Sequence, residues 1–227
     1  MQWHYAKATS IQERIPYESP PCVNVYSLAT MENPSEKRTM ASPCPPRLSL
    51  ETMPVPASGA DASDFRMDYA FVQTPLGRCL MAQTGGRIGY LAFAPVGSER
   101  EMLADLAARW PGAALTMNRQ SIEPTIPGLF TPAATADTEI RLLVRGTDFQ
   151  LEVWRALLCI PAGRVCSYAE LARRVGRPRA PRAVGSAIGA NPIAWLIPCH
   201  RVVRSDGQLG GYRWGIAMKK ICLDFET

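Results

Sequence analysis

A cysteine and a histidine are adjacent in the segment Ile197–Val203, which has the sequence IPCHRVV. Burial among apolar neighbours raises the pKa of a thiol, and this outcome is typical of an inert structural cysteine. The adjacent imidazole of His200 and the charge of Arg201 favour a reactive thiolate at Cys199 instead. Both interpretations stay open at this point, because perturbed ionisable groups also occur in purely structural sites.

The number of histidines narrows the chemistry. The chain contains two, His4 and His200, and His4 lies in a proline-rich terminal segment. Histidine-dependent chemistry in the folded part must therefore use His200. A conventional zinc site is not expected, because the folded part has no second histidine and the chain has no Cys-x-x-Cys pair. The sequence predicts neither a metal nor a cofactor.

The composition is that of an ordinary globular protein. Of the 227 residues, 47% are hydrophobic and 20% are charged. No apolar run approaches the roughly 20 residues that a membrane-spanning helix needs, and the first residues lack the plan of a signal peptide. Seven cysteines without framework spacing indicate free thiols in a reducing compartment. We expect a cytoplasmic monomer that does not bind membranes.

Charge is unevenly distributed along the chain. From Arg145 onward there are 13 Lys and Arg against 6 Asp and Glu, whereas the preceding residues have 12 against 14. A basic module attached to a slightly acidic one indicates a polyanionic partner such as nucleic acid. A solvated basic face without a partner explains the same charges equally well, so the charge pattern alone does not decide.

The chain divides into three regions. Residues 1–64 hold nine of the twenty prolines and show no sustained periodicity, so we predict a disordered tail. Residues 65–144 contain three short strands with tight turns, a helix capped by Ser98, and from residue 113 a poorly patterned linker with one short helix. This predicts an antiparallel three-stranded sheet with a helix, which we interpret as a scaffold. Residues 145–227 form the third region.

Two capped helices open the third region. Thr147 with Gln150, and Ser167 with Glu170, have the spacing of capping boxes. A proline-containing turn and the segment Arg182–Asn191 follow the second of these helices, a pattern typical of a helix-turn-helix. The sequence therefore predicts a DNA-binding helix pair in the basic module.

The end of the chain predicts a strand, a wing and a helix. We interpret the Cys-His segment as a strand, on which neighbouring side chains point to opposite faces. An Asp-Gly turn then indicates a hairpin or wing. A last helix over Ile216–Phe225 should end at Glu226, with Lys219 and Lys220 on its outer side.

The helix over Arg182–Asn191 is unusual for a reader of base edges. Its exposed positions are small, including Ala183, Ser186 and Ala187, and such side chains cannot make bidentate contacts to bases. Small residues do allow close approach to the minor groove without sequence readout. Arg182 is the long, charged side chain at its start that can reach into a duplex. Tight packing between helices inside the protein remains the alternative.

Six motifs follow one another in the third region: Gly146-Thr147-x-Phe149-Gln150-x-x-Val153-Trp154, Ser167-Tyr168-x-x-Leu171-Ala172, Arg182-Ala183-Val184-Gly185, Asn191-Pro192, Ile197-Pro198-Cys199-His200-Arg201-Val202 and Gly211-Tyr212-Arg213-Trp214-Gly215. In order and spacing they resemble the O6-alkylguanine-DNA alkyltransferase family, and the last is similar to the C-terminal half of bacterial Ada. The resemblance implies an α+β fold. Its N-terminal domain would be ribonuclease H-like, and an α-rich, winged helix-turn-helix-like C-terminal domain would carry the active site.

The resemblance implies direct-reversal repair of double-stranded DNA. Cys199 would accept the alkyl group from O6-alkylguanine, and also from O4-alkylthymine, in a single irreversible turnover. His200 would take the thiol proton through a water, Glu226 would orient the imidazole, and Asn191 would brace the turn before the active-site segment. Carboxylate, imidazole and thiol together form an activated nucleophile.

The resemblance also implies how DNA is held. Tyr168 would help to rotate the target nucleotide out of the duplex, and Arg182 would fill the gap in the stack, while Ala183, Ser186 and Ala187 approach the minor groove. The base pocket would be lined by Tyr168, Pro198, Val202, Tyr212 and Arg213. Because Arg213 stands where some relatives have a serine, a side-chain hydrogen bond of the serine type is not expected there.

Other classes of protein stay as alternatives. A non-catalytic sensor of alkylation damage would lack the acceptor thiol, whereas Cys199 is present. An Ada-like transcriptional regulator would need a zinc-binding cysteine cluster that residues 1–64 do not contain. A Cys-His hydrolase would need an acyl-transfer motif, and the chain shows none.

Overall fold

The structure is a computed structural model that describes residues 47–53, 65–130 and 139–226. Most of the tail expected at residues 1–64 lies outside these ranges. Within them, Arg47–Thr52 forms strand β1, so the prediction of a disordered segment is wrong there. Leu48 and Leu50 of this strand pack against the core, as the two-residue period of a strand allows.

Among the described residues, six strands form one mixed sheet in the order β1-β6-β4-β3-β2-β5. The bounds of the other five are Arg66–Thr74 (β2), Gly77–Thr84 (β3), Arg87–Phe93 (β4), Ala114–Met117 (β5) and Glu139–Val144 (β6). Strands β2 to β4 form the predicted antiparallel meander. We predicted three strands, but the sheet has three more, because β1, β5 and β6 join it by parallel pairing. Parallel strands are not joined by a hairpin turn, so no turn signal in the sequence marks them.

Both faces of the sheet are covered. In β3, Cys79 and Met81 belong to one core cluster, and Leu80 and Ala82 belong to a second cluster on the other side; all four are fully buried. Helix α1 (Glu99–Arg109) covers the second cluster. Ser98 is the N-cap residue of α1, as predicted, but its hydroxyl donates to the Pro95 carbonyl at 2.7 Å and makes no capping bond.

The segment after α1 is more structured than the predicted linker. Besides β5, it contains α2 (Arg119–Ile122), a 3-10 turn (Glu123–Thr125) and α3 (Ile126–Leu129). Ile122, Ile126 and Leu129 are buried. These short elements pack on the sheet and lead toward the C-terminal module, so they are part of the core.

The C-terminal module consists of helices α4 (Asp148–Leu158), α5 (Tyr168–Arg174), α6 (Pro181–Gly189) and α7 (Ile216–Phe225), with β7 (Cys166–Ser167) paired to β8 (Val202–Val203). The predicted capping box of α4 is confirmed by reciprocal hydrogen bonds between Thr147 and Gln150. The strand predicted at the Cys-His pair is wrong, because Cys199–Arg201 forms a 3-10 turn. No helix in the described part is long and apolar enough to cross a membrane.

Helix α4 connects the sheet to α6. Val153, Trp154 and Leu157 recur at helical spacing in the sequence, which predicts one buried face, and all three are fully buried. The indole Nε1 of Trp154 donates a hydrogen bond of 2.9 Å to the Ala187 carbonyl. This carbonyl belongs to the last turn of α6, where backbone acceptors need partners from outside the helix.

Trp154→Phe tests this connection. The smaller ring removes the N–H group that satisfies the Ala187 carbonyl and leaves a void at a fully buried site. We expect the free energy of unfolding, measured by urea denaturation, to fall by about 1–3 kcal/mol. Phe149→Leu, on the half-buried edge of the same helix, is the control and should cost less. An unchanged urea midpoint for Trp154→Phe would contradict this account.

Candidate active site

A tight turn presents the Cys199 thiol. The amide of Cys199 donates to the Ile197 carbonyl at 2.7 Å around Pro198, whose φ of −80° and ψ of 61° match an inverse γ-turn. Proline suits this position because its ring already holds φ near −65°. Cys199 is 3% exposed and lines a cavity, so the turn places the sulfur at the boundary between core and pocket.

Asn191 braces this turn. Its side-chain Nδ2 donates to the Ile197 carbonyl at 2.9 Å and lies 3.1 Å from the Cys199 Sγ. Its Oδ1 accepts from the Ile193 amide at 2.9 Å. Asn191 is fully buried, so these bonds satisfy the amide and tie the end of α6 to the thiol.

The resting thiol is protonated. Burial raises the pKa of Cys199 to about 11, although the hydrogen bond from Asn191 and the charge of Lys219 lower it. We expected Arg201 to favour a thiolate, but its guanidinium donates to the Glu226 carboxylate and to the Ile160 carbonyl instead. Cys199 therefore needs a proton acceptor before it can act as a nucleophile.

His200 and Glu226 form a buried pair. The imidazole Nε2 lies 2.8 Å from Glu226 Oε1, and the two side chains are 0% and 2% exposed. A carboxylate accepts hydrogen bonds, so the network assigns the ring proton to Nε2 and leaves Nδ1 with a lone pair. Nδ1 is buried and has no hydrogen-bond partner within the described ranges. The pair therefore leaves one ring nitrogen of His200 able to accept a proton.

Burial keeps the imidazole of His200 neutral. Burial lowers the pKa of His200 below its usual range, against the raising effect of Glu226. Burial would raise the pKa of Glu226, but hydrogen bonds from His200 and Arg201 lower it to about 2. The Gly163 amide adds a hydrogen bond of 3.1 Å to Glu226 Oε2. At neutral pH the site therefore holds a carboxylate, a guanidinium and a neutral imidazole.

Lys219 is a residue that sequence reasoning misplaced. We expected it on the outer side of α7, but it is fully buried, as is Cys222 one turn later on the same face. Its ammonium donates to the carbonyls of Val202, Leu209 and Gly211. Burial lowers the pKa of Lys219 to about 8. Lysines are rarely buried without partners, and partners contributed by distant loops leave no sequence pattern.

The thiol opens into a cavity of about 430 Å³ between α6 and the loop before α7. Its lining residues are Tyr168, Arg182, Gly185, Ser186, Ile188, Gly189, Cys199, Gly211, Tyr212 and Arg213. This set includes three of the expected pocket residues, namely Tyr168, Tyr212 and Arg213. The other two, Pro198 and Val202, are buried beside Cys199 and do not line the cavity, because the 3-10 turn directs them into the core.

The exposed face of α6 differs in one residue from our expectation. Arg182, Ala183 and Ser186 are exposed, whereas Ala187 is 3% exposed and packs in the core with Val184. Positions three apart share a helix face, so Ala187 follows Val184 inward. A helix rich in small residues does not reveal from sequence which of its alanines is buried.

A cluster of charges joins the two modules at the rim of the cavity. Arg213 donates two hydrogen bonds of 2.9 Å to the Asp105 carboxylate of α1. Arg109 donates to the same carboxylate and to the Ala190 carbonyl, and Arg213 also reaches the Gly189 carbonyl at 3.4 Å. Asp105 of α1 thus holds the Arg213 guanidinium at the cavity rim.

Sequence reasoning missed Trp195, which contacts the His200 ring. Its indole stacks on the His200 ring, with centroids 5.3 Å apart and an angle of 8° between planes. No sequence signal marked this contact, because it depends on the turn geometry of a non-repetitive segment.

Among the described residues, no group of three or more His, Cys, Asp or Glu side chains could hold a metal ion.

A cysteine that opens into a cavity beside a helix, in a chain that also holds a buried imidazole–carboxylate pair at the next residue, has the groups from which thiol-dependent proteins are built. The chain matches the family model described as 6-O-methylguanine DNA methyltransferase, DNA binding domain, over residues 148–227. It is 41% identical over 163 residues to regulatory protein ada of Salmonella typhimurium, covering 70% of this chain and 45% of that protein. This chain therefore spans less than half the length of that relative.

Further relatives match over most of their length. The chain is 39% identical over 137 residues to the inducible methylated-DNA–protein-cysteine methyltransferase of Bacillus subtilis, covering 58% of this chain and 76% of that protein. The crystal structure of Mycobacterium tuberculosis OGT in complex with DNA has a TM-score of 0.55 at 33% identity, covering 71% of this chain and 92% of that one. The chain belongs to the 6-O-methylguanine DNA methyltransferase family.

The depressed pKa of Glu226 predicts how stability depends on pH. A carboxyl whose pKa is about 2 in the folded state and ordinary in the unfolded state stabilises the fold above the unfolded value. This contribution, about 2–3 kcal/mol, is lost as pH falls from about 5 toward 2. Glu226→Gln should remove this acid dependence in urea denaturation between pH 7 and 3.

Glu139→Gln is the matched control for this prediction. Glu139 is exposed at the start of β6, so its replacement should leave the acid dependence as in the wild type. A Glu226→Gln variant that still loses stability over the same pH range as the wild type would show that the buried pair is not the source.

Proposed function

We propose that this protein repairs alkylated DNA by direct reversal, moving the alkyl group of O6-alkylguanine, and of O4-alkylthymine, to its own Cys199. The observation that carries the proposal is the thiol itself: it lines the cavity, while the His200–Glu226 pair lies in the core with an unpartnered nitrogen. The relatives named as methylated-DNA–protein-cysteine methyltransferases support the same activity.

The reaction uses one proton transfer and one displacement. The thiol proton passes to His200 Nδ1 through a bridging water, and the imidazolium that forms is stabilised by Glu226. The Sγ then attacks the alkyl carbon in line with the C–O bond, whose electrons return to the guanine oxygen. A new S–C thioether forms at Cys199. Among the residues that the structure describes, Cys199 supplies the one thiol that lines the cavity. The protein would therefore act once per molecule.

The base must leave the helix to reach this thiol, which costs a few kcal/mol. The exposed residues Arg182, Ala183 and Ser186 form the face of α6 that approaches the minor groove, and Arg182 lies at the cavity. We assign Arg182 to fill the gap in the stack and Tyr168 to rotate the nucleotide. Further exposed arginines suit contacts to phosphates, namely Arg173, Arg177, Arg179 and Arg204.

The finer architectural assignments belong to the same proposal. Helices α5 and α6 with the loop after β8 would act as a winged helix-turn-helix, and the sheet with α1 would be a ribonuclease H-like domain. Residues 65–144 and 145–227 would be the scaffold and the catalytic domain. A cytoplasmic location and a monomeric state remain our predictions.

Intact mass spectrometry tests the activity. The protein is incubated with an oligonucleotide duplex carrying O6-methylguanine, and Cys199→Ser is treated in parallel. We expect a single methyl-sized mass gain in the wild type and none in Cys199→Ser. Cys159→Ser, which removes an exposed thiol on the surface, should still gain the methyl group. Tight binding of the damaged duplex without a mass gain would favour the damage-sensor alternative. A protein that neither binds the duplex nor gains the methyl group would exclude both the repair function and the sensor function.

Arg182→Ala tests nucleotide flipping. Without the arginine, extrusion of the base becomes less favourable, so transfer from duplex DNA should slow by about tenfold, equivalent to about 1.4 kcal/mol. Transfer from free O6-methylguanine base, which needs no flipping, should change little. Arg155→Ala, an exposed arginine on α4, is the charge-matched control. An equal loss on both substrates would exclude a role for Arg182 in flipping.

A further inference from the structure

Trp195 has an uncommon backbone conformation. Its φ is +66°, and in the described part of the chain no other residue except glycine has a positive φ. The Leu196 amide donates to the Ala194 carbonyl at 2.7 Å across it, which closes a three-residue turn. Large side chains rarely adopt this left-handed conformation. Such strain persists where surrounding contacts hold the residue in place, and it often marks a functional position.

The contacts that hold Trp195 lead to the active site. Its indole stacks on His200, with centroids 5.3 Å apart and planes 8° apart, and on Phe130, at 5.7 Å and 14°. Phe225, next to Glu226 at the end of α7, meets the indole edge-on at 5.5 Å. The indole Nε1 donates to the Leu129 carbonyl at 2.9 Å. Trp195 thus lies between the N-terminal module, the His200 ring and the end of α7 that carries Glu226.

Glu226 and Trp195 constrain different degrees of freedom of the imidazole. The carboxylate holds one ring edge through Nε2, but a single hydrogen bond leaves the tilt of the ring about that contact free. A near-parallel indole face fixes the tilt and so fixes the direction in which Nδ1 points. The electron-rich face of an indole also attracts a cation, which the imidazole becomes when it takes a proton.

We propose that Trp195 is a positioning residue for alkyl transfer, which holds the plane of His200 and stabilises the imidazolium that forms as the Cys199 thiol loses its proton. This inference rests on the function proposed above. The charged groups acting on His200 are Glu226, which favours the imidazolium, and Arg201 and Lys219, which oppose it. With two cations opposing one carboxylate, the indole face supplies stabilisation that the ion pairs do not.

Histidine titration by NMR tests the contact directly. The chain has two histidines, so histidine-selective ¹³C labelling gives two ring signals, and His4→Gln assigns the remaining one to His200. In the wild type the indole should shift the His200 ring protons upfield. Trp195→Leu should abolish this ring-current shift and lower the pKa of His200 by about half a pH unit. Trp195→Phe keeps an aromatic face and should lie between the two.

The transfer rate gives the functional readout. With the O6-methylguanine duplex, Trp195→Leu should lower the transfer rate at neutral pH by about tenfold. It should also move the acid limb of the pH–rate profile to lower pH, because a His200 with a lower pKa loses its proton at a lower pH. Trp195→Phe should recover most of the rate. A variant that merely loosened the fold would lower the rate without moving the acid limb together with the NMR titration.

Three results decide the proposal. A folded Trp195→Leu with wild-type His200 titration and wild-type transfer rate would overturn it. If Trp195→Leu does not fold, the wild type is labelled with 5-fluorotryptophan, which weakens the π face of the indole at nearly constant size. The proposal is supported if the label lowers the His200 pKa in the wild type but not in Trp195→Phe. An unchanged His200 pKa in the labelled wild type would refute it. A wild-type protein that gains no methyl group would instead defeat the proposed function, since the NMR arms need no substrate.

Discussion

The rest of the site depends on one buried carboxylate. Glu226 is 2% exposed at its side chain and accepts hydrogen bonds from His200, Arg201 and the Gly163 amide. A buried charge is costly unless such partners satisfy it. Satisfying Glu226 therefore brings together the end of α7, the 3-10 turn of the active site and the loop after α4. The same bonds that satisfy the buried carboxylate also hold one edge of the His200 imidazole.

The N-terminal module takes part in this arrangement and is more than a support. Strand β4 contacts the active-site segment through Leu91, whose amide and carbonyl bond to Pro192 and Ala194. From the same module, Asp105 holds Arg213 at the cavity rim, and the Leu129 carbonyl holds Trp195. The position of the thiol is thus specified from both sides of the interface between the modules.

Local signals in the sequence predicted what depends on neighbouring residues. Capping at Thr147, the buried stripe of α4 and the antiparallel meander all follow from short-range hydrogen bonds and periodicity. The parallel strands β1, β5 and β6 did not, because their partners are distant in the chain and no turn joins them. For the same reason residues 113–144 looked like a linker, although they contribute two strands to the sheet.

The candidate site divides along the same line. The residue types and their spacing predicted Cys199, His200, Asn191 and Glu226 as site residues. In the structure Asn191 contacts Cys199, and His200 contacts Glu226. Burial was decided by tertiary packing: Ala187 and Lys219 lie in the core, and Arg201 turns to Glu226. The positive φ of Trp195 and its stack on His200 arise from contacts between distant segments. The sequence specifies which chemical groups are available. The ionisation state and the orientation of these groups depend on burial and on neighbours distant in the chain, which only the tertiary structure supplies.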